Sequence, residues 1–236
     1  MEAATAKMQT TADIIRANLA RIEARIAAAA KRAGRSFGDV RLIPVTKTVG
    51  IEECRILRDL GYIHLGENRV EQAEAKVAAL APSMQWHMIG HVQRRKAREV
   101  AALFSRVDSV DRLELAEALE ARCAALAKKL LVLIEVNVSG EEAKSGFAPQ
   151  EVARALDTLR GMPHLIVEGL MTMAPLVDDP EAARPIFRGL RELAATLGLK
   201  ALSMGMSNDF EVAIEEGATE VRIGTAIFKA EHEATE

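Results

Sequence analysis

The chain has 236 residues, with 31 basic against 34 acidic side chains and a formal charge of −3. Hydrophobic residues make up 49% and aromatics only 3%, so the interior is expected to be Ala, Leu, Ile, Val and Met, with no aromatic platform for stacking single-stranded nucleic acid. A pI near 6.0 without a basic tail removes the phosphate-neutralising footprint of a DNA or RNA binder, which leaves small-molecule chemistry as the default.

The opening is rich in alanine, but Asp13, Arg16, Arg21, Glu23 and Arg25 interrupt it, so it reads as neither signal peptide nor membrane span. Ile15, Leu19, Ile22 and Ile26 recur at helical spacing and predict an amphipathic helix ending near Gly34. Residues 41–45 predict a first strand. Ile51, Leu57 and Leu60 predict the helix after it, closed by Gly61. Further strands are expected at 63–65, 85–89, 106–109, 130–136, 165–171, 201–204 and 220–223. Helical patterns fall over 70–80, 92–103 and 149–159, and after the sixth and seventh strands. The run 130–136 is almost continuously apolar and β-branched, as a strand buried on both faces of a parallel sheet should be. Capping boxes are expected at Asp111 with Glu114 and, where Asn208 is the cap, at Asn208 with Glu211.

Strand and helix patterns in alternation imply parallel βαβ units with right-handed crossovers. Eight of them predict an α/β fold, a (β/α)8 TIM barrel with an extra N-terminal helix. An open doubly wound sheet is the alternative, but the first strand-to-helix turn, Val45-Thr-Lys-Thr-Val-Gly50, has no Gly-x-Gly-x-x-Gly fingerprint. With no Pro/Gly-rich linker, one domain over 1–236 is expected: helix and lead-in at 1–40, barrel at 41–229. Cys54 and Cys123 lie far apart without Cys-x-x-Cys pairing, which reads as two small core fillers in a reduced, cytoplasmic protein.

Barrel chemistry gathers where strands end and their loops begin. Lys47 stands two residues beyond Val45, as a solvated lysine or as a Schiff-base amine whose pKa falls at an apolar rim. Ser207, Gly224 and Thr225 follow the seventh and eighth strands, a recurrent phosphate site of barrels. Arg222 alternates with Val221 and Ile223, so it points either into the barrel or under the helices. His87 and His91 are four apart, but Met88 takes the glutamate position of a zinc motif and no third ligand is apparent, so no metal is expected. Arg94, Arg95, Lys96 and Arg98 read as a solvated basic face.

Seven strings in order carry a resemblance: Val45-Thr-Lys-Thr48, Gly66-Glu-Asn-Arg69, Trp86-His-Met-Ile-Gly-His91, Val136-Asn-Val-Ser-Gly140, Gly169-Leu-Met171, Leu202-Ser-Met-Gly-Met-Ser207 and Val221-Arg-Ile-Gly-Thr-Ala-Ile-Phe228. Over about residues 12 to 229 the chain resembles the pyridoxal phosphate homeostasis protein family, also called the proline-synthetase co-transcribed family. The resemblance implies a barrel like the N-terminal domain of alanine racemase, with pyridoxal 5′-phosphate held covalently on Lys47. It also implies a phosphate held by Ser207, Gly224 and Thr225, with Met206 beside them, Arg222 facing the pyridine nitrogen, and Asn68 near the cofactor. An arginine there keeps that nitrogen unprotonated and weakens the electron sink. Members of the family are thought to store, shield or deliver the cofactor and to influence vitamin B6 and amino-acid balance. Two departures stand out: Val49 replaces the second lysine of Lys-Thr-Lys, and Arg95 replaces an asparagine.

A pyridoxal phosphate-dependent racemase is the rival. It needs a second acid/base opposite the lysine, supplied in related racemases by a tyrosine. The single tyrosine, Tyr62, opens the second strand and so is expected at the wrong end of the barrel, which favours a non-catalytic carrier; separately, a monomer is expected. A third reading is a docking scaffold that hands the cofactor to apo forms of pyridoxal phosphate-dependent enzymes. Lys144, in the loop 140–146, and the Arg94 to Lys96 region are candidates for transfer.

Overall fold

A computed structural model describes residues 2–141 and 143–229, with side chains from residue 10 onward. Its strands are β1 (Arg41–Pro44), β2 (His64–Glu67), β3 (Gln85–Met88), β4 (Arg106–Val110), β5 (Leu130–Glu135), β6 (Leu165–Met171), β7 (Ala201–Ser203) and β8 (Glu220–Ile223). Between and around them run α1 (Glu2–Arg32), α2 (Ile51–Asp59), α3 (Val70–Leu80), α4 (Ala97–Leu103), α5 (Leu113–Ala125), α6 (Val152–Arg160), α7 (Arg184–Thr196), α8 (Phe210–Glu215) and α9 (Thr225–Phe228). Every strand pairing is parallel, in the order β1-β8-β7-β6-β5-β4-β3-β2. The two ends of that order meet through a single parallel bridge, Val45 to Gly66, with the Thr46 N–H donating to Gly66 O at 3.0 Å. The sheet is thus a nearly closed (β/α)8 barrel, and the open-sheet alternative fails.

The main apolar cluster lies between the sheet and the helices. Leu42, Val107, Val132, Val221 and Ile223 face outward from the strands to meet residues such as Leu57, Leu119, Leu156 and Leu190. Facing outward puts Val221 and Ile223 under the helices and turns Arg222 inward, which decides the question the alternation left open. The barrel interior is accordingly polar: His87, Arg106, Asp108, Ser203, Glu220 and Arg222 are all buried.

The stripe of Ile15, Leu19, Ile22 and Ile26 is at most 4% exposed and seats α1 on α8 and α9. Asn18 Nδ2 clamps that packing, donating at 2.9 Å to both Ile227 O and Lys229 O. Gly61 closes α2 at φ +92, with Gly61 N–H to Arg58 O at 2.9 Å and Tyr62 N–H to Leu57 O at 2.9 Å, a Schellman pair.

Several local expectations are corrected. The helix expected over 92–103 begins as the 3₁₀ turn Arg94–Lys96 before α4, and the one expected at 149 begins as the 3₁₀ turn Pro149–Glu151 before α6. Strand β2 starts at His64, leaving Ile63 exposed. Arg112, not Asp111, is the N-cap of α5, because the Asp111 carboxylate is taken by His91 Nδ1 at 2.9 Å and by Arg112. Asp209, not Asn208, precedes α8: its Oδ1 accepts from the Met206 N–H at 2.6 Å, while Glu211 turns to Arg25 at 3.2 Å. In both cases a charged partner outcompetes the cap.

Candidate functional site

A cavity of about 340 Å³ opens at the C-terminal ends of the strands. All seven residues singled out from the sequence, Lys47, Asn68, Met206, Ser207, Arg222, Gly224 and Thr225, line it.

Lys47 owes its place to the residue before it. Thr46 is fully buried, and its Oγ1 donates to Glu67 Oε1 at 2.6 Å. Lys76 Nζ, reaching in from α3, donates at 2.7 Å to the same Glu67 oxygen and at 2.7 Å to Thr46 O. This clasp ties the end of β1 to the end of β2, just where the sheet has only its single bridge, and Lys47 emerges from it exposed at the rim.

Asn68 follows β2 directly, and its buried Oδ1 has no hydrogen-bond partner among the described residues. An acceptor left dry and unpaired costs about 1–3 kcal/mol unless a ligand donates to it. Gly90 lets the next strand end approach: a Cβ there would lie 2.3 Å from Asn68 O.

On the far wall, Gly205 takes φ +93 so that the turn after β7 can pass α8, where a Cβ would sit 2.6 Å from Ala213 Cβ. That turn presents Met206 and Ser207. Gly224 leads into α9 beside Val45, its absent Cβ only 3.3 Å from Val45 O. Among the described residues no backbone acceptor takes the amides of Ser207, Asn208 or Gly224, so they remain available to an anion.

Arg222 forms the floor of the cavity and is 4% exposed. Its Nη1 donates to Ser203 Oγ at 2.7 Å and its Nη2 to Thr172 O at 3.0 Å. Burial pushes the guanidinium pKa down, opposed by Asp108, Glu135, Asp209 and Glu220. Burial likewise pushes the Asp209 carboxyl up, against the Met206 N–H and Arg222. Glu135, at the end of β5, is raised to about 7 by burial and by Asp111, with Arg222 acting the other way.

Sequence reasoning missed the lip that covers one side. Residues 173–177 line the cavity, with Leu176 90% exposed. The Met-x-Met-Ala-Pro-Leu run after the sixth strand was the available signal. Thr48, Ile89 and Asn208 also line it; behind it stand Glu67 and Ser203, which fall within the quoted strings but were given no role there, and Lys76 and Asp108, which carried no signature.

His87 and His91 do not converge. His87 is buried in the barrel against His64, whose Nδ1 is 2.9 Å from His87 Nε2, whereas His91 is a surface partner of Asp111. Among the described residues one trio, His87, Asp108 and Glu220, brings ligand atoms within 4.8 Å of one another, and Arg106 bridges its two carboxylates. The basic cluster at the start of α4 is partly neutralised, with Lys96 2.7 Å from Glu71, and Lys144 pairs with Glu141 at 3.0 Å. No helix among the described residues is long and apolar enough to cross a membrane.

The site combines an accessible amine, a buried guanidinium, an unpaired acceptor and free amides on a glycine-lined turn. Together they suit a small carbonyl compound with an anionic tail. Residues 17–232 match the sequence profile of the alanine racemase, N-terminal domain family. The pyridoxal phosphate homeostasis protein of Pseudomonas aeruginosa is 43% identical over 216 residues, which span 90% of this chain and 94% of that one. A crystal structure of an unknown protein from Bifidobacterium adolescentis superposes with a TM-score of 0.84 at 35% identity, covering 93% of this chain and 96% of the other. PipY of Synechococcus elongatus, solved with PLP bound, superposes with a TM-score of 0.75 at 33% identity, covering 81% and 93%. The chain therefore belongs to the alanine racemase N-terminal domain family and, within it, to the pyridoxal phosphate homeostasis proteins.

Proposed function

We propose that this protein binds pyridoxal 5′-phosphate through a reversible Schiff base on Lys47 and carries, stores or buffers it in vitamin B6 and amino-acid homeostasis in the cytoplasm. The observation that carries this reading is the convergence of Lys47, Asn68, Met206, Ser207, Arg222, Gly224 and Thr225 on one cavity. The residues fit the cofactor: Asn68 Oδ1 is an orphaned acceptor, and the amides of Ser207 and Gly224 have no backbone acceptor among the described residues. When bound, the cofactor supplies an aldehyde that captures amines. In this reading the Lys47 amine anchors it, Ser207, Gly224 and Thr225 hold the phosphate, and Arg222 donates to the ring nitrogen without giving up a proton.

The rival reading, a racemase of low activity, needs an acid/base across the cavity from Lys47. Tyr62 precedes β2 at the opposite end of the barrel and donates its hydroxyl to Glu23 on α1 at 2.5 Å, away from the mouth. That placement favours a carrier, with apo forms of pyridoxal phosphate-dependent enzymes as recipients.

The test is an absorbance spectrum of the purified protein mixed with pyridoxal phosphate, followed by borohydride reduction and peptide mapping. A yellow protein labelled at Lys47 is expected. A colourless protein that takes up no cofactor, or a label confined to other lysines, overturns the assignment. Incubation with L-alanine and chiral analysis separates the rival, since a carrier leaves the amino acid unracemised.

A further inference from the structure

We propose that Ser203 and Asp108 are positioning residues of this cavity: from behind its floor they fix the orientation in which the Arg222 guanidinium faces a bound ring. The proposal rests on the pyridoxal phosphate reading of the site, and its evidence is the column of charges that fills the barrel.

Arg222 is held by two contacts, Nη1 to Ser203 Oγ at 2.7 Å and Nη2 to Thr172 O at 3.0 Å. Thr172 is itself fixed, its Oγ1 donating to Val136 O at 2.7 Å and its N–H to Ser203 O at 3.2 Å. The Ser203 hydroxyl has one proton. Having accepted from Arg222, it donates to Asp108 Oδ2 at 3.4 Å, so it joins a cation to an anion. Asp108 is gripped by Arg106, Nε to Oδ1 at 2.7 Å and Nη2 to Oδ2 at 2.9 Å. Arg106 also donates through Nη1 to Glu220 Oε1 at 3.0 Å, and Arg41 meets the same oxygen at 3.0 Å. Reading from floor to mouth, the column runs Arg41, Glu220, Arg106, Asp108, Ser203, Arg222, alternating in sign until the hydroxyl.

Arg106, Asp108, Ser203, Glu220 and Arg222 are each at most 4% exposed. In so dry a setting a charge is tolerated only with its partners in place, so each member dictates where the next can sit. Neither Ser203 nor Asp108 lines the mouth cavity, whereas Arg222 does. A guanidinium carries five N–H donors in a rigid fork. With Ser203 and Thr172 holding two of them, the rest of the fork is aimed by the relay and needs no reorganisation when a ring arrives. The column also reaches a second, polar cavity at the barrel floor, lined by Arg41, Arg106 and Glu220, so the same ladder spans the barrel from end to end.

Ser203→Ala removes the relay with the smallest change of volume, Asp108→Asn removes its charge, and Ser203→Thr keeps the hydroxyl. Two readouts are needed: the dissociation constant and absorbance maximum of bound pyridoxal phosphate, and the side-chain N–H signals of Arg222 by NMR in the ligand-free protein. Ser203→Ala is expected to weaken binding about tenfold, shift the absorbance maximum and broaden or move the Arg222 signals. Ser203→Thr is expected to restore all three. Ser203→Ala with wild-type affinity, spectrum and Arg222 signals overturns the proposal, as does a loss that Ser203→Thr fails to rescue. Should Asp108→Asn unfold, the serine pair still decides. A wild-type protein that binds no pyridoxal phosphate overturns the site reading instead, while the ligand-free Arg222 signals still test the positioning.

Discussion

Lys76 Nζ lies 2.7 Å from Glu67 Oε1, with both side chains at most 7% exposed, and this buried pair closes the barrel at the seam where β1 and β2 share only one bridge. The same ammonium holds Thr46 O, one residue before Lys47. Removing one partner of a buried pair strands the other charge, which costs about 3–5 kcal/mol. Lys76→Met is therefore expected to lower the unfolding free energy by about that amount in urea titrations. It is also expected to raise hydrogen exchange at the amides of 45–48 more than elsewhere in the barrel. A uniform rise would place the clasp outside the positioning of Lys47.

Arg222→Ala is expected to weaken pyridoxal phosphate binding without abolishing it, because Lys47 and the turns at Ser207 and Gly224 remain. A hydrogen bond from a charged donor is worth about 1.5–3 kcal/mol, so the dissociation constant should rise by between one and two powers of ten. Calorimetric titration measures it. An unchanged constant would show that the guanidinium makes no contact with the ring.

Much of the barrel was legible because parallel strands buried on both faces are short apolar runs, and β5 falls where such a run does. The mouth residues were legible for a different reason: strand ends are where barrels put chemistry, and Lys47, Ser207 and Gly224 all lie in the turns just after strands. What escaped notice depends on contacts between distant parts of the chain. Lys76 reads as one more charge on a helix until it meets Glu67 across the seam, and Asp108 and Ser203 are joined only by closure of the sheet. The failed capping boxes at Asp111 and Asn208 have the same origin, since His91 holds Asp111 and Arg25 draws Glu211 away, and local spacing contains neither partner.

Glu135 gives the protein a pH dependence of unusual sign. Its carboxyl is 3% exposed and raised to about 7, against 4.5 for a free glutamate, with burial as the main cause. Between those values the folded state keeps a proton that the unfolded chain has released. Stability therefore falls as pH rises from 4.5 through 7, and the full loss is present above 7. Glu135→Gln keeps the shape without the charge. At pH 8 the variant is expected to be more stable than the parent by about 3 kcal/mol, with the difference vanishing near pH 4.5. Thermal unfolding across that range checks it, and a variant less stable at pH 8 would mean that the ionised carboxylate gains more from Arg222 than it loses by burial.

Gly90 and Gly38 make a matched pair of glycines for testing how tightly the mouth is built. A Cβ at Gly90 would fall 2.3 Å from Asn68 O and 2.8 Å from Asn68 Cα, both backbone atoms at the end of β2, so neither can swing aside. The nearest atom to a Cβ at Gly38 is the Ser36 hydroxyl at 3.9 Å, an ordinary contact. Gly90→Ala is expected to force the ends of β2 and β3 apart, lowering stability by about 1–3 kcal/mol and displacing Asn68 from the cavity. Gly38→Ala is expected to be neutral or stabilising by about 0.4–1 kcal/mol, through the reduced freedom of the unfolded chain. Urea midpoints rank the two variants, and pyridoxal phosphate affinity separates them further, since only Gly90→Ala should weaken binding. Equal effects on stability would show that the β2 end yields to the added methyl, and the close approach at Gly90 would then have no part in holding Asn68.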